Sequence, residues 1–173
     1  MPTYIALLRG INVVGANQLP MKDLAALCSD CGFGQARTWI QSGNVLFTSK
    51  LKEASIQQKL EKALHAKMGK KISVMVRTPA ELRTVLEAHP FPNEDPSKVL
   101  VAFLDGAMPA NPLAGMVTPG GEQVHVGQRE IYVFYPEGMG RSKFRLPLKG
   151  VSVTMRNINT VTKLVALGEE LEG

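Results

Sequence analysis

The segment ARTWIQSGNVLFTS, residues 36–49, decides the fold, because two strand-like segments, 36–41 and 45–49, flank the turn-forming residues Ser42, Gly43 and Asn44. Glycine and asparagine adopt positive φ readily, so this segment predicts a tight β-hairpin. The other elements predicted around the hairpin are, in chain order, a strand over residues 3–8, a helix over 20–31, a helix over 52–68 and a strand over 72–77. The resulting order, βαββαβ, is that of the split-βαβ plait.

The same order returns in the second part of the chain. The segment HPFPNEDP, residues 89–96, cannot be helical throughout, so residues 79–97 are predicted to be a helix and a linker. The elements predicted beyond it are strands over 99–104, 122–126, 131–135 and 151–155, a weak helix or turn over 111–116, and a final helix over 157–171. The second helix of this half is predicted to be short or missing. We therefore expect an α+β protein, a tandem duplication of a ferredoxin-like plait, with halves at residues 1–78 and 98–173.

Composition excludes several classes of protein. The chain has 173 residues, of which 45% are hydrophobic and 20% are charged, as in an ordinary globular protein. Its apolar runs are strand-sized, far short of the ~20 residues that span a bilayer. The first residues do not show the basic segment followed by an apolar run that is typical of a signal peptide. We therefore expect no membrane partner and a cytoplasmic location.

Positive charge is concentrated towards the C-terminus. Residues 129–163 contain seven lysines and arginines against two acids, Glu130 and Glu137, so this window alone carries the net charge of the whole chain, +5. An anion-binding surface requires such an excess, and a solvated basic face produces the same pattern.

The sequence predicts no catalytic, metal or cofactor site. Cys28 and Cys31 form a C-x-x-C pair, but it falls at the end of a predicted helix, where the helix dipole raises the thiol pKa instead of lowering it. We expect both to be buried or half-buried helix residues. The three histidines share no metal-ligand spacing with acids.

Three polar segments are candidate binding loops, since sites usually lie where loops meet regular elements. The first follows the first strand and contributes Arg9, Gly10, Asn12, Gly15 and Asn17. Its glycine spacing is not that of a dinucleotide-binding loop, so it is a weak phosphate-loop candidate.

The second segment is the hairpin turn, with Gln41, Ser42 and Asn44 as candidates. Turn chemistry alone explains the glycine and the asparagine.

The third segment has the most features that favour an anion. A Gly-x-Gly turn with cations beside it contributes Gly138, Gly140, Arg141, Ser142 and Lys143. Exposed backbone N–H groups and charge-assisted donors bind phosphate. The start of the last helix adds Arg156, Asn157, Asn159, Thr160 and Lys163, with Asn157 or Asn159 as the cap. A flexible loop followed by an ordinary cap explains these residues about equally well.

Four motifs in order resemble one bacterial family. They are YIALLRGINV with Gly15, IQSGNV, YPEGMGRSK, and Arg156-Asn157 with Asn159-Thr160-Val161 and Lys163-Leu164. They are similar to the family catalogued as domain of unknown function 1697. The resemblance implies a duplicated ferredoxin-like plait and no established activity, substrate or cofactor. This chain departs from it at Ile158, where many relatives carry an aromatic residue, and at Pro147, where some have a helix.

Three functional hypotheses follow. The leading one is that the three segments converge on a cleft between the halves and bind a phosphorylated or other anionic small molecule, such as a nucleotide. The second is a nucleic-acid-binding module, which exposed aromatic residues on the strands (Tyr132, Phe134 and Tyr135) would favour. The third is an enzyme acting on phosphates or nucleotides, with Asp23 or Glu137 as acid or base and a perturbed carboxylate beside the basic loop.

Overall fold

The computed structural model describes residues 1–12, 18–40 and 43–173. They form two compact units. Unit 1 comprises Met1–Arg83 and Leu164–Gly173, and unit 2 comprises Thr84–Lys163. The halves predicted at residues 1–78 and 98–173 are defined by the order of elements, whereas the units are defined by packing. The last helix therefore contributes residues to both units.

Unit 1 is built on a four-stranded antiparallel sheet. Its elements are β1 (Thr3–Leu8), α1 (Met21–Asp30), β2 (Gly34–Trp39), β3 (Asn44–Thr48), α2 (Glu53–Met68), β4 (Val74–Arg77) and the first half of α3 (Pro79–Ala88). The strands lie in the order β2-β3-β1-β4, with Leu7 opposite Asn44 and Ile5 opposite Arg77. The predicted order βαββαβ is present in this unit.

Local sequence explains the helices of unit 1. Ile56, Leu60 and Leu64 recur at i, i+4 and i+8 of α2, and all three are fully buried against one face of the sheet. Gly69 ends α2 at φ +77°, the left-handed conformation that favours glycine. Thr78 caps α3, since its Oγ1 accepts a hydrogen bond from the N–H of Glu81 at 3.1 Å.

Unit 2 contains a second four-stranded antiparallel sheet. Its elements are β5 (Val99–Leu104), β6 (Gln123–Val126), β7 (Glu130–Phe134), a 3₁₀ helix (Met139–Arg141), β8 (Val153–Asn157) and the start of α4 (Ile158–Glu172). The strands lie in the order β6-β7-β5-β8, equivalent to that of unit 1. Its core contains residues of one sheet face, among them Leu100, Ile131 and Val133, together with Phe144.

The expected βαββαβ pattern is only partly present in unit 2. The weak helix or turn predicted over residues 111–116 is a turn, and residues 105–152, all of which the structure describes, contain no α-helix. Pro109, Pro112 and Pro119 divide the first of the two connections, and Pro147 interrupts the second. Proline lacks the backbone N–H and clashes with the preceding turn, so neither connection forms an α-helix.

Strand register shows that the two sheets are built alike. Ile5 pairs with Arg77 as Val101 pairs with Arg156. At the hairpins, the N–H of Leu8 donates to the carbonyl of Gly43, and the N–H of Leu104 donates to that of Arg129. The two hairpins therefore occupy equivalent places in the two sheets, as the repeated order of elements predicted.

Among the described residues, no helix is long and apolar enough to cross a membrane.

Candidate functional site

The first predicted segment begins with a tightly held loop in unit 1. Arg9 is exposed, and its N–H donates to the carbonyl of Ser73 at 3.0 Å. Gly10 and Asn12 both have positive φ, +67° and +58°. The side chain of Asn12 donates from Nδ2 to the carbonyl of Leu19 at 2.8 Å and accepts from the N–H of Leu19 at 2.7 Å. Asn12 is therefore joined to Leu19 by a pair of hydrogen bonds.

The structure brings this loop against the hairpin turn. The carbonyl of Gly43 accepts from the N–H of Leu8 at 2.9 Å, and a Cβ on Gly43 would lie 3.2 Å from Cβ of Ile11. Asn44 is fully buried, and its Nδ2 donates to the carbonyl of Trp39 at 3.1 Å. Four further predicted site residues, Gly15, Asn17, Gln41 and Ser42, lie outside the described residues.

A basic strap covers one face of the sheet of unit 2. We use this name for residues 141–149, RSKFRLPLK, in which apolar and cationic residues occupy opposite sides. Phe144 is 3% exposed and belongs to the core, and Leu146 and Leu148 pack against that core. The exposed side chains are those of Arg141, Lys143, Arg145 and Lys149. This period of two is that of an extended chain lying on a hydrophobic core.

Two hydrogen-bonded anchors hold the strap in place. At its beginning, Ser142 Oγ donates to Oε2 of Glu122 at 2.7 Å and accepts from the N–H of Phe144 at 3.0 Å. Just beyond its end, the N–H of Ser152 donates to Oδ1 of Asp105 at 2.9 Å, and the N–H of Asp105 donates to the carbonyl of Ser152 at 3.1 Å. The carboxylates nearest the strap are therefore engaged in fixing its backbone.

The outward side of the strap is purely cationic. Residues 138–168 contain six lysines and arginines and no acid. None of the four strap cations forms an ion pair within the part of the chain that the structure describes. The hydrogen bond from Ser142 lowers the pKa of Glu122 below its usual range, so this carboxylate is ionised at neutral pH.

Backbone N–H groups at the Gly-x-Gly turn donate to nearby backbone carbonyls. The N–H groups of Gly138, Arg141 and Ser142 donate to the carbonyls of Tyr135, Gly138 and Met139. A 3₁₀ helix makes such i→i+3 bonds, and they occupy three N–H groups that we expected to face an anion. The side chains of Arg141 and Lys143 stay exposed at this turn, so they are donors available to a ligand.

The start of the last helix is an ordinary cap. Asn157 Oδ1 accepts from the N–H of Thr160 at 2.9 Å, which confirms the cap predicted at Asn157 or Asn159 and places it at the former. Asn159 and Lys163 are exposed on α4. The cap consumes one N–H of the first turn.

Arg156 is a buried residue that forms hydrogen bonds within the protein. It is 7% exposed, and its Nη1 donates to Thr154 Oγ1 at 2.7 Å and to the carbonyl of Met155 at 2.9 Å. Burial lowers its pKa to about 10. Met155 packs against the core beneath the strap, and side chains alternate along a strand, so Arg156 lies on the opposite face of the sheet from the strap. We expected it beside Arg141 and Lys143, which are on the other side.

The aromatic residues of β7 and its end offer no stacking surface. Tyr132, Phe134 and Tyr135 are 3%, 8% and 4% exposed, and the hydroxyl of Tyr132 donates to the carbonyl of Val85. Each is covered by packing within unit 2. The feature that would have favoured base stacking on the sheet is therefore missing from these three residues.

The carboxylate beside the basic segment is one that the sequence did not indicate. Neither Asp23, which lies 3.9 Å from Lys67 Nζ in unit 1, nor the exposed Glu137 is that residue. The carboxylate beside the strap is that of Glu122. Its pKa is lowered, which makes it a weaker proton acceptor. Its only sequence signal is its position before β6, 20 residues from Ser142.

The two cysteines are buried, as predicted. Burial raises the pKa of Cys28 to about 12 and also raises that of Cys31. Thiols with raised pKa are poor nucleophiles and poor metal ligands at neutral pH. Among the described residues, no cluster of three metal-ligating side chains occurs.

Fold and site together define a class: an α+β protein of two similar four-stranded halves, the second covered by a cationic strap. The chain belongs to the family described as a protein of unknown function (DUF1697), whose model matches residues 1–132. The first two motifs lie within the matched residues, and those beginning at Tyr135 and Arg156 lie beyond them.

A solved structure supports the fold along the whole chain. It is that of a conserved bacterial protein from Streptococcus pneumoniae, with a TM-score of 0.77 and 23% sequence identity, covering 98% of this chain and 99% of that one. At this identity the likeness shows the fold alone. No curated protein matches the chain.

Proposed function

We propose that the protein binds a phosphorylated or other anionic ligand at the basic strap. The observation that carries this proposal is the separation of the strap into two sides, with apolar residues in the core and four exposed cations outside. A cationic surface attracts anions and raises their local concentration.

The anchoring of the strap favours binding. Ser142 and Ser152 fix both ends through Glu122 and Asp105, so a ligand does not have to order the backbone. The strap cations also need not leave an ion-pair partner within the described chain before they contact a ligand. Arginine and lysine then donate charge-assisted hydrogen bonds to phosphate oxygens.

The remaining predicted residues have other roles in this proposal. Asn12, Asn44 and Asn157 hold a loop, a hairpin and a helix end. Arg156 supports the opposite sheet face. The convergence of the three predicted segments on one cleft stays a prediction.

The proposal extends to fold and location. We propose that each half is a ferredoxin-like plait, supported by the strand order β2-β3-β1-β4 and its equivalent in the second sheet, with the helices of the second plait replaced by turns and the strap. We propose a cytoplasmic location, supported by two free thiols, since reducing compartments keep cysteines unpaired.

Calorimetry with inorganic pyrophosphate tests the proposed function. The variant Lys143→Gln/Arg145→Gln removes two strap cations, and affinity should fall at least ~10-fold, since hydrogen bonds to charged groups contribute about 1.5–3 kcal/mol. The matched control is Lys70→Gln/Lys71→Gln, which removes two exposed cations from unit 1 and should leave affinity unchanged. Absence of pyrophosphate binding to the wild type, or equal losses in both variants, would contradict the proposal.

A further inference from the structure

We infer that the natural ligand of the basic strap is a nucleic-acid backbone, bound without regard to base sequence. This inference rests on the proposed function and names its ligand class. It follows from three features of the strap: the linear placement of its cations, the chemistry of its outer side and the absence of aromatic residues from that side.

The strap cations form a line and not a pocket. Ser142, at the start of the strap, has φ −85° and ψ 140°, which is extended backbone. A fully extended chain rises ~3.3 Å per residue, so Lys143 and Lys149 lie at most about 20 Å apart along the strap. The neighbouring cations Lys143 and Arg145 are then spaced by at most about 6.6 Å. A single compact phosphate reaches neighbouring cations at most, whereas a chain of phosphates reaches the whole line.

The outer side of the strap suits a polyphosphate better than an acidic peptide. Apart from Pro147, the residues on that side are cations, and the apolar residues face the core. An acidic peptide would gain only exposed ion pairs, each contributing about 0–1 kcal/mol. A nucleic acid carries condensed counterions, and their release adds an entropic gain for each phosphate that is neutralised.

The strap presents no aromatic side chain on which bases could stack. Phe144 is the one aromatic residue in the sequence of residues 138–168, and it is buried in the core. Tyr132, Phe134 and Tyr135 are buried as well. Stacking on aromatic side chains provides most of the base contacts in single-strand binding, so binding here depends on the backbone.

Fluorescence anisotropy of labelled oligonucleotides tests the inference with the full chain. We expect a 20-nucleotide oligo-dT and an oligo-dA of equal length to bind with affinities within about threefold of each other, because backbone contacts do not distinguish bases. If all four cations contact phosphates, the slope of log K against log salt concentration should be about −2.8 for a single strand. Lys143→Gln/Arg145→Gln should reduce it to about −1.4. The control Lys70→Gln/Lys71→Gln should leave it unchanged.

Competition identifies the ligand class. Unlabelled oligonucleotide should displace the probe at far lower concentration than pyrophosphate, ATP or a poly-glutamate peptide of equal charge. If pyrophosphate or ATP competes equally well per molecule, the inference fails and the proposed function stands. If poly-glutamate competes equally well, the ligand is an acidic protein segment and the inference fails. Strong preference for one base overturns the claim of backbone recognition, and binding of no anion overturns both proposals.

Discussion

Ser142 donates a hydrogen bond from Oγ to Oε2 of Glu122, and the two oxygens lie 2.7 Å apart. This contact joins the first residues of the strap to the segment that enters β6. The same carboxylate accepts the N–H of Gly120 through Oε1. It therefore ties two loops of unit 2 together, with its negative charge turned inward and the strap cations turned outward.

Breaking this contact should loosen the strap. We expect Ser142→Ala to lower the stability of the protein and to weaken pyrophosphate binding, because Glu122 loses a donor and the strap loses its first anchor. Ser142→Thr, which keeps the hydroxyl, should retain most of both. Urea denaturation and calorimetry measure the two effects, and unchanged affinity in Ser142→Ala would show that anchoring does not contribute to binding.

The contact should also give a specific pH dependence. The pKa of Glu122 is lowered in the folded protein, so the unfolded chain binds its proton more readily. The stabilisation is therefore present above the unfolded pKa, near 4.5, and is lost as pH falls through the lower folded value. Comparison of wild type with Glu122→Gln by denaturation from pH 7 to pH 3 should show a smaller acid loss in the variant. Parallel curves would contradict the assignment.

Arg156 should matter for stability and not for binding. Arg156→Ala leaves Thr154 Oγ1 without this donor and removes a large buried side chain, so we expect a loss of about 1–3 kcal/mol or more in the free energy of unfolding. Anion affinity of the folded variant should stay within about twofold of the wild type, because the side chain lies on the sheet face opposite the strap. A tenfold loss of affinity at unchanged stability would show that Arg156 belongs to the binding site.

Gly43 should tolerate no side chain, and Gly69 provides the comparison. Both have positive φ, +84° and +77°. A Cβ at Gly69 meets nothing within 4 Å, whereas at Gly43 it lies 3.1 Å from Cβ of Leu8. We expect Gly69→Ala to cost about 1–2 kcal/mol for the left-handed backbone alone. Gly43→Ala should cost about 1–3 kcal/mol more because of overpacking, as measured by urea denaturation. Equal losses would mean that the hairpin turn and the loop of Ile11 separate without cost.

The parts of the fold that the sequence predicted are those specified by local patterns. The helix predicted over residues 52–68 and the turn residues Gly43 and Asn44 each depend on patterns of a few positions. The repeat was predicted from the order of elements. The strand register of the repeat could not be predicted from the sequence. The equivalent hydrogen bonds from Leu8 to Gly43 and from Leu104 to Arg129 join backbone atoms, so they require no particular side chain at these positions.

The site was predicted less well, for physical reasons. The cations of residues 141 and 143 were identified, but Glu122 is brought to Ser142 only by the sheet, across 20 residues. Arg156 was placed beside them because it precedes a helix. Alternation along β8 turns its side chain to the other face, and only knowledge of which face carries the strap could have revealed this.

Binding of anions at the strap is tested most directly by NMR. Amide chemical shifts of the ¹⁵N-labelled protein are mapped during titration with pyrophosphate. The largest shifts should fall on residues 141–149 other than Pro147, which has no amide proton, and on Glu122 and Ser152, with little change at Lys70 and Lys71. Shifts that cluster elsewhere in the chain, or no saturable shifts at all, would contradict it.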